Sequence, residues 1–208
     1  DRVYSAQRPD ERAGHAVCYG GDGRVVLFGG HNDVLLAADS DGPAEEGARA
    51  GIVRDAVAAV GDAVATLVEF GAKSVLVPNI ADLGRTPRAR FVEGNAALAT
   101  DLTIQFNDAL EERLSSLETI AEVTIHRMDV FSLANDLVED ATRNGGLEFG
   151  MVNVDVPIFE GFAGSTGADG ASSLFADDLH ISSAAHRMLG EVAYATVPEP
   201  ASVALAVA

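Results

Sequence analysis

The segment Arg24-Val-Val-Leu-Phe-Gly-Gly-His-Asn-Asp33 decides the fold of this chain. Its first half is a short apolar run, which is typical of a strand that is buried on both faces of a sheet. Gly29 and Gly30 end the run, and the Asn32-Asp33 pair is favourable turn chemistry. We therefore predict a buried strand over residues 24–28, with a polar turn directly at its carboxyl end.

Helical and extended patterns alternate along the rest of the chain. Apolar residues spaced by three or four positions predict helices over about residues 45–70, 91–117, 131–142 and 182–195. Short apolar runs predict further strands over residues 74–77 and 123–128. Polar segments that contain Gly, Ser or Pro predict loops over residues 34–44 and 159–173.

This alternation predicts an α/β fold, a three-layer α/β/α sandwich with a parallel sheet. Ligands of such folds bind beyond the carboxyl ends of the strands. The turn around Asn32 and the segment Asn79-Ile-Ala-Asp82 both follow predicted strands. We therefore expect both at the edge of the sheet where a ligand binds.

The composition argues against several classes of partner. The chain has 208 residues, of which 48% are hydrophobic, enough for one domain with a sizeable core. Its net charge is −18, from 32 acidic and 14 basic residues. We do not expect it to bind nucleic acid or anionic membranes, because both require clustered Lys and Arg. No apolar run in the sequence is long enough to span a bilayer.

The cysteine and histidine residues do not support a metal or cofactor site. Cys18 is the only cysteine, and we interpret it as a small core residue. The histidines are scattered without metal-ligand spacing, at His15, His31, His126, His180 and His186. Because His186 has apolar neighbours on the last predicted helix, we interpret it as a buried or half-buried structural residue. We predict neither a metal nor a cofactor.

Asp177 and His180 form the first candidate for catalysis. They lie three residues apart on a predicted turn, directly before the last helix. An imidazole exchanges protons near neutral pH, and a carboxylate on its other ring nitrogen fixes the tautomer and stabilises the imidazolium. An incidental histidine on an acidic turn is the alternative, and Asp178 is a second candidate for the carboxylate. The spacing of Asp177 and His180 alone leaves both interpretations open.

Asn32 is the second candidate. A rigid side-chain amide at the end of a strand can donate to a developing oxyanion, which is worth about 3 kcal/mol in comparable sites. The alternative is a simple turn that Asp33 braces. The residues leave both interpretations of Asn32 open, and Gly30 and His31 beside it are candidates for contact with a substrate.

Several of these segments resemble the SGNH/GDSL hydrolase family of lipases and esterases, roughly over residues 24–196. Gly30-His31-Asn32-Asp33 is similar to its Gly-x-Asn-Asp block, and Asp177-Asp178-Leu179-His180 is similar to its Asp-x-x-His block. Further similar segments are Val75 to Pro87, Phe106 to Leu110 and Asp129 to Phe131. The resemblance implies a flavodoxin-like fold, with Asn32 in the oxyanion hole, Asp177 as the carboxylate and His180 as the general base.

The nucleophile block of that family is not found in the sequence. A Gly-Asp-Ser-Leu block should precede Gly30 by a long stretch, together with the first strand of the sheet. Ser5 is the only serine before Gly30 and does not match, while Ser40 and Ser172 are in predicted loops. We expect either a fragment or a catalytically incomplete relative, and we favour the fragment because both ends of the sequence look cut.

The two ends of the chain carry weaker resemblances. Residues 1–23 are of uncertain assignment: with the strand that follows, the segment from Arg12 to Gly30 looks like one kelch repeat, although a propeller needs several. Residues 197–208, beginning Val-Pro-Glu-Pro-Ala-Ser, resemble the start of a PEP-CTERM sorting signal. That resemblance implies a secreted or cell-surface protein of a Gram-negative bacterium and an exosortase-type sorting machinery as a partner.

The resulting prediction is a serine ester hydrolase of the GDSL type that acts by acyl transfer. The expected substrate is a small-molecule, lipid or acetylated-glycan ester. Two alternatives stay open: a non-catalytic, surface-displayed binding module of the same fold, and a kelch-type interaction domain, which would contain almost no helix.

Overall fold

A computed structural model describes residues 2–4, 16–19, 24–39, 44–120, 122–160 and 164–197. They contain one five-stranded sheet, ordered β1-β2-β3-β4-β5. Its strands are β1 (Arg2–Tyr4), β2 (Ala16–Tyr19), β3 (Arg24–Phe28), β4 (Ser74–Pro78) and β5 (Thr124–Met128). The pairs β1–β2 and β2–β3 are antiparallel, whereas β3, β4 and β5 pair in parallel. The three parallel strands confirm the predicted sheet.

Five α-helices accompany the sheet in the described ranges. They are α1 (His31–Ala38), α2 (Glu46–Glu69), α3 (Ala96–Ile120), α4 (Val130–Asn144) and α5 (Ser183–Thr196). A 3₁₀ turn at Leu83–Arg85 and a π-helical turn at Arg88–Val92 lie between β4 and α3. None of the described helices is long and apolar enough to cross a membrane.

The parallel strands are covered by helices on both faces. Side chains alternate across a strand, so Val75 and its neighbour Leu76 lie on opposite faces. Val75 packs with Val25 of β3 in the core that α1, α2 and α3 cover. Leu76 packs with Met128 of β5 beneath α5. A third cluster joins α4 to α5 and to the chain between them. This is the predicted three-layer α/β/α arrangement.

The first helix corrects the prediction of a loop over residues 34–44. Gly30 precedes α1 in a left-handed conformation, with φ 101°, so the chain passes directly from β3 into a helix. Val34, Ala37 and Ala38 then enter the core. With eight residues, α1 is too short to show a helical repeat in the sequence, and its first turn is made of residues that favour turns.

The start of the second long helix also differs from its prediction over residues 91–117. The chain first forms the π-helical turn at Arg88–Val92, and Gly94, with φ 67°, separates that turn from α3. Helix α3 begins only at Ala96. The predicted apolar stripe of this helix is nevertheless confirmed, because Leu102, Phe106, Leu110 and Leu114 are buried.

The kelch-type alternative does not fit the structure. Helices α2 and α3 have 24 and 25 residues, whereas a propeller blade is a four-stranded sheet. Strands β1 and β2 extend the sheet beyond β3 in antiparallel pairing, which we did not predict from the sequence. Residues 12–15 and 20–23 of the kelch-like segment lie outside the described residues.

Phe106 provides a test of the core. Its side chain is fully buried on α3, whereas Phe70, after α2, is 87% exposed. We expect Phe106→Ala to lower the free energy of unfolding by about 3–5 kcal/mol, because it removes apolar contacts and leaves a cavity. Phe70→Ala should change it by less than about 0.5 kcal/mol. Urea denaturation measures both, and equal losses in the two variants would contradict this packing.

Candidate active site

A cavity of about 510 Å³ lies beyond the carboxyl ends of the parallel strands. Its wall begins with Phe28 at the end of β3 and includes the chain after β4, from Ala81 to Thr86. Val130, which follows β5, and residues of α4 and α5 complete it. This is the predicted edge for a ligand in a parallel α/β sheet.

A short hairpin places His180 at this cavity. Phe175 and Ile181 form an isolated antiparallel bridge, and the Ala176 N–H donates to the His180 carbonyl at 2.7 Å. Directly after the hairpin, the hydroxyl of Ser182 accepts the Ala185 N–H and caps α5. The turn from residue 176 to 180 is therefore held at its base by backbone bonds and by the start of a helix.

Within this turn Asp177 binds both the backbone and the ring of His180. Its Oδ1 accepts the backbone N–H groups of Leu179 and His180, at 2.9 and 2.6 Å. Its Oδ2 lies 2.8 Å from the Nδ1 of His180. Burial alone would raise the pKa of Asp177, but these hydrogen bonds outweigh it and hold that pKa below its ordinary value. Asp177 is thus an anion that orients the imidazole.

The imidazole of His180 is open to the cavity and to solvent. Its side chain is 73% exposed, and His180 is among the residues that line the cavity. With Asp177 accepting at Nδ1, Nε2 is the nitrogen that can take a proton from a nucleophile. The neighbouring Asp178 does not share this role; its carbonyl accepts the Arg88 N–H at 2.7 Å and joins the turn to the chain after β4.

Asn32 lies in the first turn of α1 and lines the same cavity as His180. It is exposed, and its amide makes no hydrogen bond to any residue within the described ranges. The amide is therefore available to a ligand. Gly30, which precedes it, does not line the cavity. A Cβ at Gly30 would lie 2.2 Å from the Phe106 ring, so glycine is needed there for close packing as well as for its backbone angle.

His31 also lines the cavity, beside Asn32. Its ring packs edge-on against Phe28, with the ring centroids 4.3 Å apart. Burial lowers the pKa of His31 to about 4. A neutral imidazole at pH 7 can donate a hydrogen bond to a substrate from one ring nitrogen but contributes no charge.

The loop after β4 forms one wall of the cavity and is held in place by hydrogen bonds. The buried carboxylate of Asp82 accepts the Gly84 N–H at 3.0 Å and the Thr100 hydroxyl at 2.7 Å. Arg85, on the surface of this loop, donates to Asn135 of α4 at 2.9 Å. These bonds hold the loop against α3 and α4, so that one wall of the cavity is rigid.

The structure therefore brings together His31, Asn32 and His180, with Asp177 behind His180. The cavity also has three polar lining residues that the sequence did not suggest for it: Arg85, Thr86 and His186. His186 is exposed, contrary to its interpretation as a buried or half-buried residue, and its Nδ1 lies 3.0 Å from the Ser182 carbonyl.

No lining residue in the described part of the chain is a serine or a cysteine. Thr86 lines the cavity, but its hydroxyl donates to the Leu83 carbonyl and accepts the Ala89 N–H. Ser5 and Ser40 lie outside the described residues, and Ser172 is bonded to Asp169 in a loop. Within those same ranges no group of three His, Cys, Asp or Glu side chains is placed to hold a metal ion.

The model of the GDSL-like lipase/acylhydrolase family matches residues 9–193, which is most of the chain. The chain belongs to the GDSL-like lipase/acylhydrolase family. No curated protein matches it significantly.

For a GDSL-like lipase/acylhydrolase, the arrangement at the cavity is chemically coherent. A carboxylate and an imidazole from the 176–180 turn and an amide donor from the first turn of α1 are placed at or beside one cavity. Such a set can move a proton and bind a negatively charged oxygen. Acyl transfer requires both of these functions in addition to a nucleophile.

The lowered pKa of His31 predicts a pH-dependent stability. An imidazole in the unfolded chain protonates near pH ~6.5, whereas the folded protein takes up that proton only near pH 4. The contribution of His31 is therefore complete above about pH 6.5 and decreases as the pH falls towards 4, by on the order of 3 kcal/mol. His31→Gln should remove this decrease. Urea denaturation between those pH values tests it, and parallel pH profiles for the two proteins would show that His31 titrates normally.

Proposed function

We propose that this chain carries the acid–base part of a serine esterase that hydrolyses carboxylic esters by acyl transfer. One observation carries the proposal: in a chain of the GDSL-like lipase/acylhydrolase family, Asp177 holds His180 at a cavity that Asn32 also lines. Hydrolysis of an ester needs a base for the nucleophile and a donor for the oxyanion, and these residue types serve both purposes.

In the proposed reaction a serine hydroxyl attacks the ester carbonyl while His180 Nε2 takes the hydroxyl proton. Asn32 donates to the oxygen of the tetrahedral intermediate. When that intermediate collapses, His180 gives the proton to the leaving alcohol and an acyl-enzyme remains. Water then attacks the acyl-enzyme. His180 takes a proton from this water and gives it to the serine oxygen as the carboxylic acid leaves. Throughout, Asp177 stabilises the imidazolium and stays ionised, in keeping with its lowered pKa.

The nucleophile in this proposal is a serine of a Gly-Asp-Ser block upstream of these residues. One observation supports this part of the proposal: none of the serines in the described ranges lines the cavity. Ser173 is buried beside Asn153, and Ser182 caps α5, so both hydroxyls already have structural partners.

A second candidate function follows from the same observation. A chain that keeps the fold and the cavity without a nucleophile would bind an ester or its product and not cleave it. The non-catalytic binding module therefore remains the alternative, and turnover by the full-length protein distinguishes the two.

We propose a secreted or cell-surface location on the basis of the PEP-CTERM-like segment that begins at Val197. Residues 198–208 of that segment lie outside the described residues, so the proposal rests on the sequence Val-Pro-Glu-Pro-Ala-Ser. An exosortase-type sorting machinery would be the partner. Deleting residues 197–208 from the full-length protein and following its position in cell fractions tests the proposal, and unchanged fractionation would refute it.

A matched pair of aspartates tests the catalytic role of Asp177. In the full-length protein, Asp177→Asn should lower kcat for a p-nitrophenyl ester by about 10³–10⁴-fold, because the imidazole loses its orienting anion. Asp178→Asn makes the same charge change one residue away and should lower kcat less than about threefold. His180→Ala should lose at least as much activity as Asp177→Asn.

Circular dichroism of each variant establishes that the fold is retained. A His180→Ala variant that keeps wild-type turnover would refute the assignment of the base. Equal effects of the two aspartate substitutions would show that a change of local charge, not the bond to His180, determines the rate.

A further inference from the structure

The cavity combines an apolar wall with a polar rim. Helix α4 contributes the apolar wall, through Leu133, Leu137 and Val138. The exposed polar residues that line the rim are Asn32, Arg85, His180 and His186. Among the lining residues that the structure describes, Arg85 is the only Arg or Lys. The rim therefore carries one permanent positive charge, in a chain whose net charge is −18.

The guanidinium of Arg85 has two nitrogens without a protein partner. Its Nε donates to the side-chain oxygen of Asn135 on α4 at 2.9 Å. A carboxylate oxygen, Oδ2 of Asp82, lies 3.5 Å from the same Nε, which is long for a charge-assisted hydrogen bond. Neither Nη group makes a hydrogen bond to any residue within the described ranges. The guanidinium is thus held at Nε, and its Nη donors are available to a ligand.

The next two arginines along the chain are bound differently. Arg88 and Arg90 each donate to a carboxylate of the protein, which compensates their charge. Arg85 donates to a neutral amide instead. Asp82, beside it, already accepts two hydrogen bonds at its Oδ1 from the backbone and from a hydroxyl. Of these three arginines, Arg85 is the one whose charge is most available to an anion from outside the protein.

The chemistry of this rim indicates that the anion is a carboxylate. The paired Nη donors of one guanidinium match the two oxygens of a carboxylate. A phosphate monoester carries a charge of about −1.5 to −2 at pH 7 and would require further cations. The described lining offers none: His180 is bound to Asp177, and the lowered pKa of His31 keeps that ring neutral. A singly charged carboxylate suits one arginine.

We propose that Arg85 binds an ionised carboxylate that the ligand carries in addition to its ester group, so that the site selects anionic esters such as half-esters of dicarboxylic acids. The ester group would lie at His180 and Asn32, which line the same cavity. The identity of the reaction rests on the proposed function, whereas the selection of charge does not. Because binding requires neither turnover nor a nucleophile, this chain itself can be tested.

Two ligands that differ by one charge test the proposal. Monomethyl adipate is an anion at neutral pH, and dimethyl adipate is its neutral analogue of similar length. We expect the half-ester to bind about tenfold more tightly at low salt, because Arg85 adds a charge-assisted hydrogen bond. Its side chain is 49% exposed, so added NaCl should weaken binding of the half-ester and not of the diester. NMR titration measures both affinities. Equal affinities, or no binding of the half-ester, would overturn the proposal.

Arg85→Gln should weaken binding of monomethyl adipate by about tenfold and change binding of dimethyl adipate by less than about twofold. Retained binding of the diester also shows that the cavity persists without the bond between Arg85 and Asn135. Arg187→Gln is the matched control, because it removes the same charge from an exposed position on α5 that does not line the cavity. It should keep the preference for the half-ester. Equal losses for both ligands in Arg85→Gln, or equal losses in the two variants, would refute the role of Arg85.

The two proposals can fail separately. Charge-selective binding together with inactive full-length protein would support the Arg85 site and favour the binding module over the esterase. Turnover by the full-length protein that depends on His180, without a preference for the half-ester over the diester, would support the esterase and reject the Arg85 site.

Discussion

Parallel pairing of β3, β4 and β5 is the constraint on which the candidate site depends. Because these strands run in one direction, the segments that follow them all begin at the same edge of the sheet. Asn32 lies in the first turn of α1, after β3, and the Asp82 loop follows β4. Helix α4 follows β5 and contributes the apolar wall. Parallel pairing is therefore what places residues that are far apart in sequence around one cavity.

The Asp177–His180 pair, by contrast, depends on the local geometry of one turn. Asp177 accepts two N–H groups of its own turn before it reaches the His180 ring, so the carboxylate is fixed in place by the backbone. The same bonds keep it ionised, despite partial burial. An aspartate placed this way can hold one imidazole tautomer in an otherwise exposed turn.

Much of this arrangement could be predicted from the sequence, and the remainder has physical reasons for being missed. The regular spacing of valines in α2 and of leucines in α3 is long enough to indicate a buried helix face, as found for Val60 and Leu110. Helix α1 was missed because eight residues show little periodicity. Asp177 and His180 are neighbours in sequence, so their pairing was predictable. Arg85 and His186 reach the cavity only through the packing of α4, α5 and the loop after β4, which no local pattern encodes.

The proposed role of His180 as a base requires that Asp177 holds it in the tautomer whose Nε2 is unprotonated. Nitrogen-15 NMR of the histidine side chains measures this directly in the chain as it stands, at about pH 8, where an ordinary imidazole is neutral. We expect that His180 carries its proton on Nδ1 and that Asp177→Asn, but not Asp178→Asn, changes the tautomer population. A His180 ring that is protonated mainly on Nε2, with no response to Asp177→Asn, would show that Asp177 does not orient the imidazole.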